Sequence, residues 1–394
     1  MSRSHFMEPF EMMQRYYVQR ELAALEWKDK GGKVAGYFCN DVPEELILAA
    51  GFFPYRLSGN PWAGTEEAAK YTSPVYEGFI RSMLNMLLTG TYDFLDFLII
   101  PHSRDAIEAL YPVLQGVKRL KPDVKIPELY LFDILHTKFW LTGRYLYDRV
   151  CEFKKKLEEW SGKEITDESI ASAIVICNEN RTLLKRITAL RAEEPPRISG
   201  TEALQIIGTS MFMLKEEHNK LLRQYLDGIG GLPTRDGVRL FVEASPLDNL
   251  QLYELVESFG VTIVGEDNCW GNRYSDNPVD TSLDPLNALT ERYHLKSPCP
   301  RMHPLERRVE YCLQSANEVK AQGVLFYILE CDYSQTWEYP DEKEALDKKN
   351  IPALCLKNQK YLMSESDKGV IGAEVRRFVE TIGSKNMQTK APPK

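Results

Sequence analysis

The sequence feature that most limits the fold is a short, wholly apolar run, FLIIP, at Phe97–Pro101. A strand that is apolar at every position is buried on both faces, which is typical of a parallel sheet covered by helices. A second run of this kind, GVLFYIL, lies at Gly323–Leu329. The chain has 394 residues, a length that suits two or three domains. The two runs therefore predict two α/β units.

Strand-like and helical segments alternate on either side of these runs. The first group of strands is predicted at residues 33–39, 52–57, 97–101 and 128–132, with helices at 43–51, 76–88 and 105–117. The second group is predicted at 238–243, 261–266, 323–329 and 353–356, with helices at 249–259, 305–322, 339–349 and 372–382. This order predicts the α/β fold class, with two doubly wound parallel-sheet domains of the Rossmann or flavodoxin type.

The remaining segments set the expected domain boundaries. Gly31-Gly32 ends an amphipathic N-terminal helix, and charged amphipathic stretches lie between the two groups of strands. These stretches predict a helical segment between the α/β units that packs on both. The predicted organisation is an N-terminal helix at 1–32, a first α/β domain at 33–137, a helical segment at 138–235, a second α/β domain at 236–383 and a tail at 384–394.

Composition and missing motifs argue against several classes of function. The net charge is −8 and the pI about 5.5, so a broad nucleic-acid-binding surface is not expected. No apolar run approaches the roughly 18 residues of a membrane span, and the N-terminus has no signal-peptide core, so we expect a cytoplasmic protein. The patterns GxGxxG, GxxxxGK(S/T) and GxSxG are absent, so no known loop motif for NAD or ATP is present.

Four cysteines lie where a ligand would collect. In an open parallel sheet, ligands bind beyond the carboxyl ends of the strands. Cys39 is the last residue of a predicted strand, Cys269 and Cys331 follow predicted strands, and Cys299 lies in an irregular segment before a helix. Converging thiolates could hold an iron–sulfur cluster, although strand-end cysteines can also simply be buried. The other four cysteines are predicted to fill the core: Cys151, Cys177, Cys312 and Cys355.

Other polar residues also follow the predicted strands. His102 comes directly after FLIIP. It could be an acid–base group or a structural hydrogen-bonding histidine. Asp105, Asp267 and Asp332 are also near strand ends, where capping of the next helix is the ordinary role.

Several motifs together resemble a known family. They are GYFCNDVPEELILAAGFFPYRLSG from Gly36, VGEDNCWGNRY from Val264, CPRMHPLERR from Cys299 and QGVLFYILECDYSQTWEYP from Gln322. In this order, over most of the chain, they resemble the cluster-bearing subunits of ATP-dependent benzoyl-CoA reductases and 2-hydroxyacyl-CoA dehydratases.

The resemblance implies a fold, partners and a chemistry. It implies two doubly wound domains, a homologous sister subunit and a separate ATP-hydrolysing activator that delivers a low-potential electron. It also implies an iron–sulfur cluster of the 4Fe-4S type in the catalytic pair. The implied substrate is an acyl-CoA. The reductase dearomatises its aryl ring, whereas the dehydratases remove a hydroxyl group from the acyl chain.

The chain departs from the pattern that the resemblance implies for the cluster. Of three expected cysteine positions, only Cys331 is kept, whereas Glu77 and Arg104 stand at the other two. One interpretation is a cluster held by Cys331 with Cys39, Cys269 and Cys299. The preferred one is a degenerate partner that holds no cluster. Its expected site residues are catalytic Glu77, His102 and Arg104, and substrate-binding Arg56, Tyr76, Asp332 and Trp337.

The preferred function is a benzoyl-CoA reductase subunit, because the cysteine pattern of the dehydratases is broken while the fold motifs persist. Aromatic residues such as Phe52, Phe53 and Tyr333 could line a site for a flat aryl group, or could equally pack in the core. The alternatives are a subunit of a 2-hydroxyacyl-CoA dehydratase and a non-catalytic scaffold subunit.

Overall fold

A computed structural model describes residues 4–389 and the side chains of residues 8–384. The chain divides into two compact units. The first comprises Met1–Leu184, Ile206–Gly228 and Tyr274–Ser297, and the second comprises Lys185–Gln205, Ile229–Arg273 and Pro298–Lys394.

The first unit contains a parallel sheet of β1 (Val34–Tyr37), β2 (Phe53–Arg56), β3 (Phe97–Pro101) and β4 (Glu128–Phe132). The strand order is β2-β1-β3-β4. The second contains β5 (Val238–Ala244), β6 (Val261–Asp267), β7 (Gly323–Leu329) and β8 (Ala353–Gln359). Its order, β6-β5-β7-β8, repeats the first arrangement. In both sheets the strand order reverses beside the first strand, as in doubly wound folds.

Sixteen α-helices occur among the described residues. In chain order they are α1 (Ser4–Val18), α2 (Leu22–Asp29), α3 (Glu44–Ala49), α4 (Gly78–Leu88), α5 (Asp105–Glu108), α6 (Leu110–Leu120), α7 (Trp140–Ser161), α8 (Asp167–Ala192), α9 (Gly200–Thr209), α10 (Lys215–Asp227), α11 (Gln251–Glu257), α12 (Asn272–Ser275), α13 (Pro285–Leu295), α14 (Glu306–Glu318), α15 (Tyr333–Lys348) and α16 (Glu365–Thr389). Short 3-10 helices lie at Ala68–Lys70 and Ile229–Gly231.

The register of the first sheet brings the strand ends to one edge. Tyr37 is paired with Arg56, and Pro101 with Phe132, so the residues that follow β3 and β4 lie side by side. Gly36 permits this packing at the centre of the sheet. A Cβ at Gly36 would lie 2.8 Å from side-chain atoms of both Leu57 and Leu95, closer than carbon atoms can approach.

Each unit has its own apolar core. In the first, the ring of Phe97 stacks on Trp160 at a centroid distance of 4.2 Å and packs against Phe52 at 5.0 Å. Phe52 and Phe53 are both buried, so these two aromatic residues belong to the core of the unit. In the second unit, apolar residues of the central strands pack against α14 and α15 through Phe241, Cys312, Ala316, Val324, Phe326 and Leu346.

The predicted fold class is confirmed, because both sheets are parallel and every predicted strand is present. The bounds of β3, β4 and β7 agree with the sequence prediction. The helical segment predicted after β4 is also present, as α7 to α10.

Some helices differ from prediction. The single N-terminal helix is two, α1 and α2, and the helix after β3 is divided into α5 and α6. Helix α13 was not predicted, although Asp284 caps it by accepting from the Asn287 N–H, with Pro285 at its start. Helix α16 continues to Thr389, past the expected end at Ile382. The last residues of the expected tail, 390–394, lie outside the described residues.

Within residues 4–389, none of the helices combines the length and the apolar character needed to span a membrane.

Candidate functional site

The carboxyl edge of the first sheet brings together the predicted catalytic residues Glu77 and Arg104. The Arg104 guanidinium donates to the Glu77 carboxylate, with Nη1 2.7 Å from Oε1. Both side chains are buried. Glu77 precedes α4 and Arg104 precedes α5, both with extended backbone, so each residue occupies the N-cap position of a helix. The Phe79 ring lies 5.9 Å from the Arg104 guanidinium carbon and covers it from one side.

His102 lies between two carboxylates. Its Nδ1 is 2.9 Å from Asp133 Oδ1, and its Nε2 is 3.0 Å from Glu108 Oε2. The imidazole is partly exposed to solvent. A histidine with a carboxylate at each ring nitrogen can exchange a proton on either side, as an acid–base group requires.

Asp133 is held on its second oxygen as well, because the Tyr145 hydroxyl donates to Oδ2. Burial raises the pKa of Asp133, but the hydrogen bonds from Tyr145 and His102 outweigh burial and lower it below the ordinary value. Asp133 is therefore a carboxylate at neutral pH. His136 completes the group, with its Nε2 2.8 Å from the His102 carbonyl oxygen.

Sequence reasoning identified His102 but missed Glu108, Asp133, His136 and Tyr145. For Asp133 the signal was available, since it directly follows β4. The same rule that selected His102 after β3 would have selected it. Tyr145 and His136 carried no such signal, because one lies inside α7 and the other in the connection before it.

The other predicted residues of the first unit lie at or near the same edge. Cys39 follows β1 with a left-handed backbone, φ 57°, and its sulfur accepts from Ser103 Oγ at 3.1 Å. Arg56 ends β2 and is buried, with Nη1 3.2 Å from Met211 Sδ. Tyr76 is half-buried and directly precedes Glu77. Roles in substrate or metal binding for Cys39, Arg56 and Tyr76 stay predictions.

Glu44 and Glu45 of the segment PEEL lie in the first turn of α3 and form buried ion pairs. Glu44 Oε2 is 3.1 Å from Lys215 Nζ, and Glu45 pairs with Arg181. The N-cap position of α3 is occupied by Pro43, which has no side-chain acceptor, and Asp41 pairs with Lys296. The partners are distant in sequence, so local pattern could not predict them.

Tyrosines complete this buried network. Tyr274 donates to Glu44 at 2.8 Å and Tyr293 to Glu45 at 2.9 Å. Burial raises the pKa of Glu44, but Lys215 and Arg181 outweigh it and lower the pKa below its usual value. The motif therefore stabilises the first unit through charged hydrogen bonds.

In the second unit, Cys331 and Asp332 follow β7. Cys331 has a left-handed backbone, φ 67°, as Cys39 does. Asp332 caps α15 by accepting from the Gln335 N–H, as predicted for a strand-end aspartate, and also accepts from Ser245 Oγ at 2.7 Å. Trp337, on the same helix, is 79% exposed. Substrate contacts for Asp332 and Trp337 stay predictions.

Cys269 and Cys299 both lie near the guanidinium of Arg273. Burial lowers the pKa of Arg273, but the neighbouring Asp267 carboxylate raises it overall. Cys269 is buried, whereas Cys299 and Cys331 are half-buried. Of the predicted metal ligands, the second unit thus contains three, and the first unit contains Cys39.

A second charged cluster is buried in the second unit around Arg308. Its guanidinium lies 2.8 Å from Glu243 and 3.4 Å from Glu342, and it also pairs with Asp267. Asp267 does not cap a helix as predicted, because Arg308 and Arg273 bind its carboxylate.

The acids of this Arg308 cluster outnumber its bases. Burial, and then the negative charge of Asp267, raise the pKa of Glu243 well above its usual value. Burial, together with the charges of Asp267 and Glu338, raises the pKa of Glu342 to about 8. Glu243, Glu342 and Cys312 have ligand atoms within 4.8 Å of one another. A guanidinium in contact with both carboxylates already supplies positive charge, so protonated acids fit this cluster better than a metal ion.

Two of the cysteines predicted to fill the core, Cys177 and Cys312, are buried, whereas Cys151 and Cys355 are half-buried.

A cavity of about 830 Å³ lies elsewhere in the first unit, between α1, α2 and α10. It is lined by apolar and charged side chains, among them Trp27, Met213 and Glu217, and does not include Glu77, His102 or Arg104.

The iron–sulfur cluster that the resemblance implies does not fit Glu77 and Arg104. A cluster is normally held by thiolates, and a guanidinium has no lone pair to offer. Each of these two side chains is buried against the other at 2.7 Å. The ion pair therefore takes the place of two expected ligands.

Comparison with known proteins agrees with the resemblance. A family model described as "2-hydroxyglutaryl-CoA dehydratase, D-component" matches residues 39–382. The beta subunit of (R)-phenyllactyl-CoA dehydratase from Clostridium sporogenes is 26% identical over 83% of this chain and 86% of its own length. The beta subunit of (R)-2-hydroxyglutaryl-CoA dehydratase from Acidaminococcus fermentans is 26% identical over 87% and 91%.

One of the subunits of benzoyl-CoA reductase from Thauera aromatica is 27% identical over 77% of this chain and 80% of its own length. The relatives are thus subunits of CoA-thioester dehydratases and of a CoA-thioester reductase. Since the family model covers most of the chain, the protein belongs to the family of the 2-hydroxyglutaryl-CoA dehydratase D-component, which includes the benzoyl-CoA reductase and 2-hydroxyacyl-CoA dehydratase subunits.

Proposed function

We propose that the chain is the cluster-free subunit of a benzoyl-CoA-reductase-type oxidoreductase that dearomatises an aryl-CoA thioester. The observation that supports this role is the buried Glu77–Arg104 ion pair. It occupies positions expected to hold cluster cysteines and leaves acid–base and cationic groups at the same strand ends. A protein with such a site contributes binding and proton transfer in place of electron transfer.

His102 is the proposed proton donor. Reduction of an aromatic ring adds protons as well as electrons, so the site needs an acid that water can recharge. His102 is partly exposed, and Glu108 lies beside its Nε2. Donation by a positioned histidine accelerates such a step by roughly 10²- to 10⁴-fold.

Arg104 is the proposed anchor for the thioester. A guanidinium suits a thioester carbonyl or a CoA phosphate, because it is planar and always charged. Its contact with Glu77 at 2.7 Å fixes its direction. Trp337 and Tyr76 are proposed to contact the acyl group.

The proposed partners follow from the family. A homologous sister subunit would hold the 4Fe-4S cluster, and a separate ferredoxin-fed activator would hydrolyse ATP. The absence of a nucleotide-binding loop motif in the sequence agrees with this division. The proposed location is the cytoplasm.

Dehydration of a 2-hydroxyacyl-CoA is the second candidate. It is supported by the names of relatives, since the phenyllactyl-CoA and 2-hydroxyglutaryl-CoA enzymes are dehydratases. The two reactions differ in electron balance. Dearomatisation consumes reductant in every turnover, whereas elimination of water leaves the overall redox state unchanged.

The test is anaerobic assembly of the chain with its sister subunit and activator, followed by assay with benzoyl-CoA, (R)-phenyllactyl-CoA and (R)-2-hydroxyglutaryl-CoA. The proposal expects loss of the aromatic absorbance of benzoyl-CoA with reductant consumed in proportion. Water elimination with only catalytic reductant would instead establish the dehydratase. If the assembled complex bound none of the thioesters, the scaffold interpretation would replace both.

A further inference from the structure

The two carboxylates beside His102 are held differently. Asp133 is anchored twice, by His102 Nδ1 at 2.9 Å and by the Tyr145 hydroxyl on its other oxygen. Glu108, 3.0 Å from Nε2, lies at the end of α5 and is exposed to a similar degree as Asp133, 42% against 39%. Asp133 therefore has a second anchor in Tyr145 besides its contact with His102.

We propose that Asp133 is the positioning residue of the site, holding the His102 ring by Nδ1–H so that Nε2 gives the proton to the acyl group. The inference rests on the proposed function in one respect, the role of His102 as donor. The orientation of the ring by Asp133 stands on geometry and can be tested separately.

The fold fixes both residues of this pair. Strands β3 and β4 are in register at Pro101 and Phe132, which places the next residues, His102 and Asp133, side by side. The His102 N–H donates to the Phe132 carbonyl oxygen at 3.0 Å, so the backbone is held on this side too. A carboxylate bonded to Nδ1–H selects the tautomer and the direction of Nε2.

The neighbouring charges keep Asp133 ionised. Arg149 lies over the Tyr145 ring at 5.1 Å, and it lowers the pKa of Asp133 together with the hydrogen bonds from Tyr145 and His102, against the effect of burial. His136 binds the His102 carbonyl oxygen. The groups that face His102 are thus Asp133, which Tyr145 also holds, at Nδ1 and the carboxylate of Glu108 at Nε2.

The Nε2–H bond of the imidazolium breaks, and a C–H bond forms on an acyl group that has accepted electrons from the external low-potential donor. The ring becomes neutral and keeps Nδ1–H on Asp133. A water proton then returns to Nε2 through Glu108, whose carboxylate is partly exposed.

Two isosteric variants separate the roles of the carboxylates. In Asp133→Asn, the Tyr145 hydroxyl continues to donate, so the amide oxygen faces Tyr145 and the amide N–H faces Nδ1. His102 must then accept at Nδ1 and carry its proton on Nε2. In Glu108→Gln, Asp133 still holds Nδ1–H. Removing the hydroxyl as well, in Asp133→Asn with Tyr145→Phe, frees the amide to rotate and should restore Nδ1–H in part.

The experiment is ¹⁵N NMR of the full chain with labelled histidine, at a pH where the ring is neutral. The proposal expects Nδ1–H in the wild type and in Glu108→Gln, but Nε2–H in Asp133→Asn. The same tautomer in the wild type and Asp133→Asn would overturn it. Unchanged circular dichroism in each variant shows that the fold is kept.

Activity of the assembled complex supplies the second measurement. Asp133→Asn should lower kcat about 100-fold with little change in KM, because a misplaced donor loses most of the benefit of general acid catalysis. Glu108→Gln should lower kcat by less than about 10-fold. Equal kcat for the wild type and Asp133→Asn would also overturn the proposal. If the wild-type complex turned over no thioester while the tautomers differed as expected, the proposed function would fail and the positioning of His102 would stand.

Discussion

Arg104 and Glu77 lie 27 residues apart in the chain, and their side chains form a buried ion pair at 2.7 Å. They stand at two positions where the family resemblance implies cysteines. A change of one position alone would leave a buried charge without its partner, so the two residues act as one unit. This pair is the basis for assigning the chain a cluster-free role.

The ion pair should contribute to the stability of the first unit. Glu77→Gln removes the negative partner and leaves the Arg104 charge buried, so the free energy of unfolding should fall by about 3–5 kcal/mol. Urea unfolding, monitored by circular dichroism, measures this free energy of unfolding. The matched control is Glu67→Gln, which breaks the exposed Lys70–Glu67 pair and should leave the midpoint unchanged. Equal effects of the two variants would contradict the structural role of the buried pair.

Stability of the second unit should fall as pH rises. The folded pKa of Glu342 is about 8, because burial and then Asp267 and Glu338 raise it from 4.5. Between these values the folded protein keeps a proton that the unfolded chain has released, so each step up in pH favours unfolding. The stabilisation is complete below about pH 4.5 and is lost as pH rises to about 8.

Glu342→Gln tests this directly, because an amide cannot titrate. Thermal midpoints at several pH values from about 5 to 9 should decline less steeply in the variant than in the wild type. The exposed Glu344→Gln, two residues along the same helix, is the control and should keep the wild-type slope. Parallel slopes for wild type and Glu342→Gln would show that this carboxyl does not hold a proton in the folded state.

His218 should remain neutral throughout the physiological range. Burial first, and then Lys215, lower its pKa to about 3, and its Nδ1 lies 2.9 Å from the Asn180 amide nitrogen. The corresponding stability is present above the unfolded pKa of about 6.5 and is lost as pH falls toward 3. The ¹⁵N signals of His218 should not move between about pH 5 and 8. A titration in that range would show that the side chain is not buried as described.

Trp337 should bind the acyl group if the proposed site is correct. Its side chain is 79% exposed, so it is available to a ligand or a partner. Trp337→Ala should raise KM for the aryl-CoA about 10-fold, which corresponds to roughly 1.4 kcal/mol of lost contact. Trp62→Ala is the control, since Trp62 is also largely exposed but was not predicted to bind substrate. Steady-state kinetics of the assembled complex would show whether the two differ.

The sequence predicted strands and their ends better than it predicted partnerships across the fold. The apolar runs specify β3 and β7 directly, and the strand-end rule led to His102, whereas Arg104 and Glu77 were reached only through the family resemblance. The pairing of Arg104 with Glu77 depends on the strand order, which no local pattern reveals. The same holds for Glu44 and Lys215, which are remote in sequence and buried together.

The sequence can indicate the position of Asp133 but not its role. Asp133 satisfies the strand-end rule, yet its role depends on Tyr145, which lies inside a helix and carries no distinguishing pattern. The missed helix α13 had a recognisable start in Asp284-Pro285. Such local signals are readable, whereas hydrogen bonds between separate elements require the three-dimensional structure.

The most direct test of the cluster-free role is iron and acid-labile sulfide analysis of the chain, purified without oxygen and without its sister subunit. A cluster-free subunit should contain no stoichiometric iron when alone, and the iron of the assembled pair should be unaffected by Cys331→Ala. Iron retained by the isolated chain and lost in Cys331→Ala would contradict the cluster-free role, because this protein would then hold a cluster of its own.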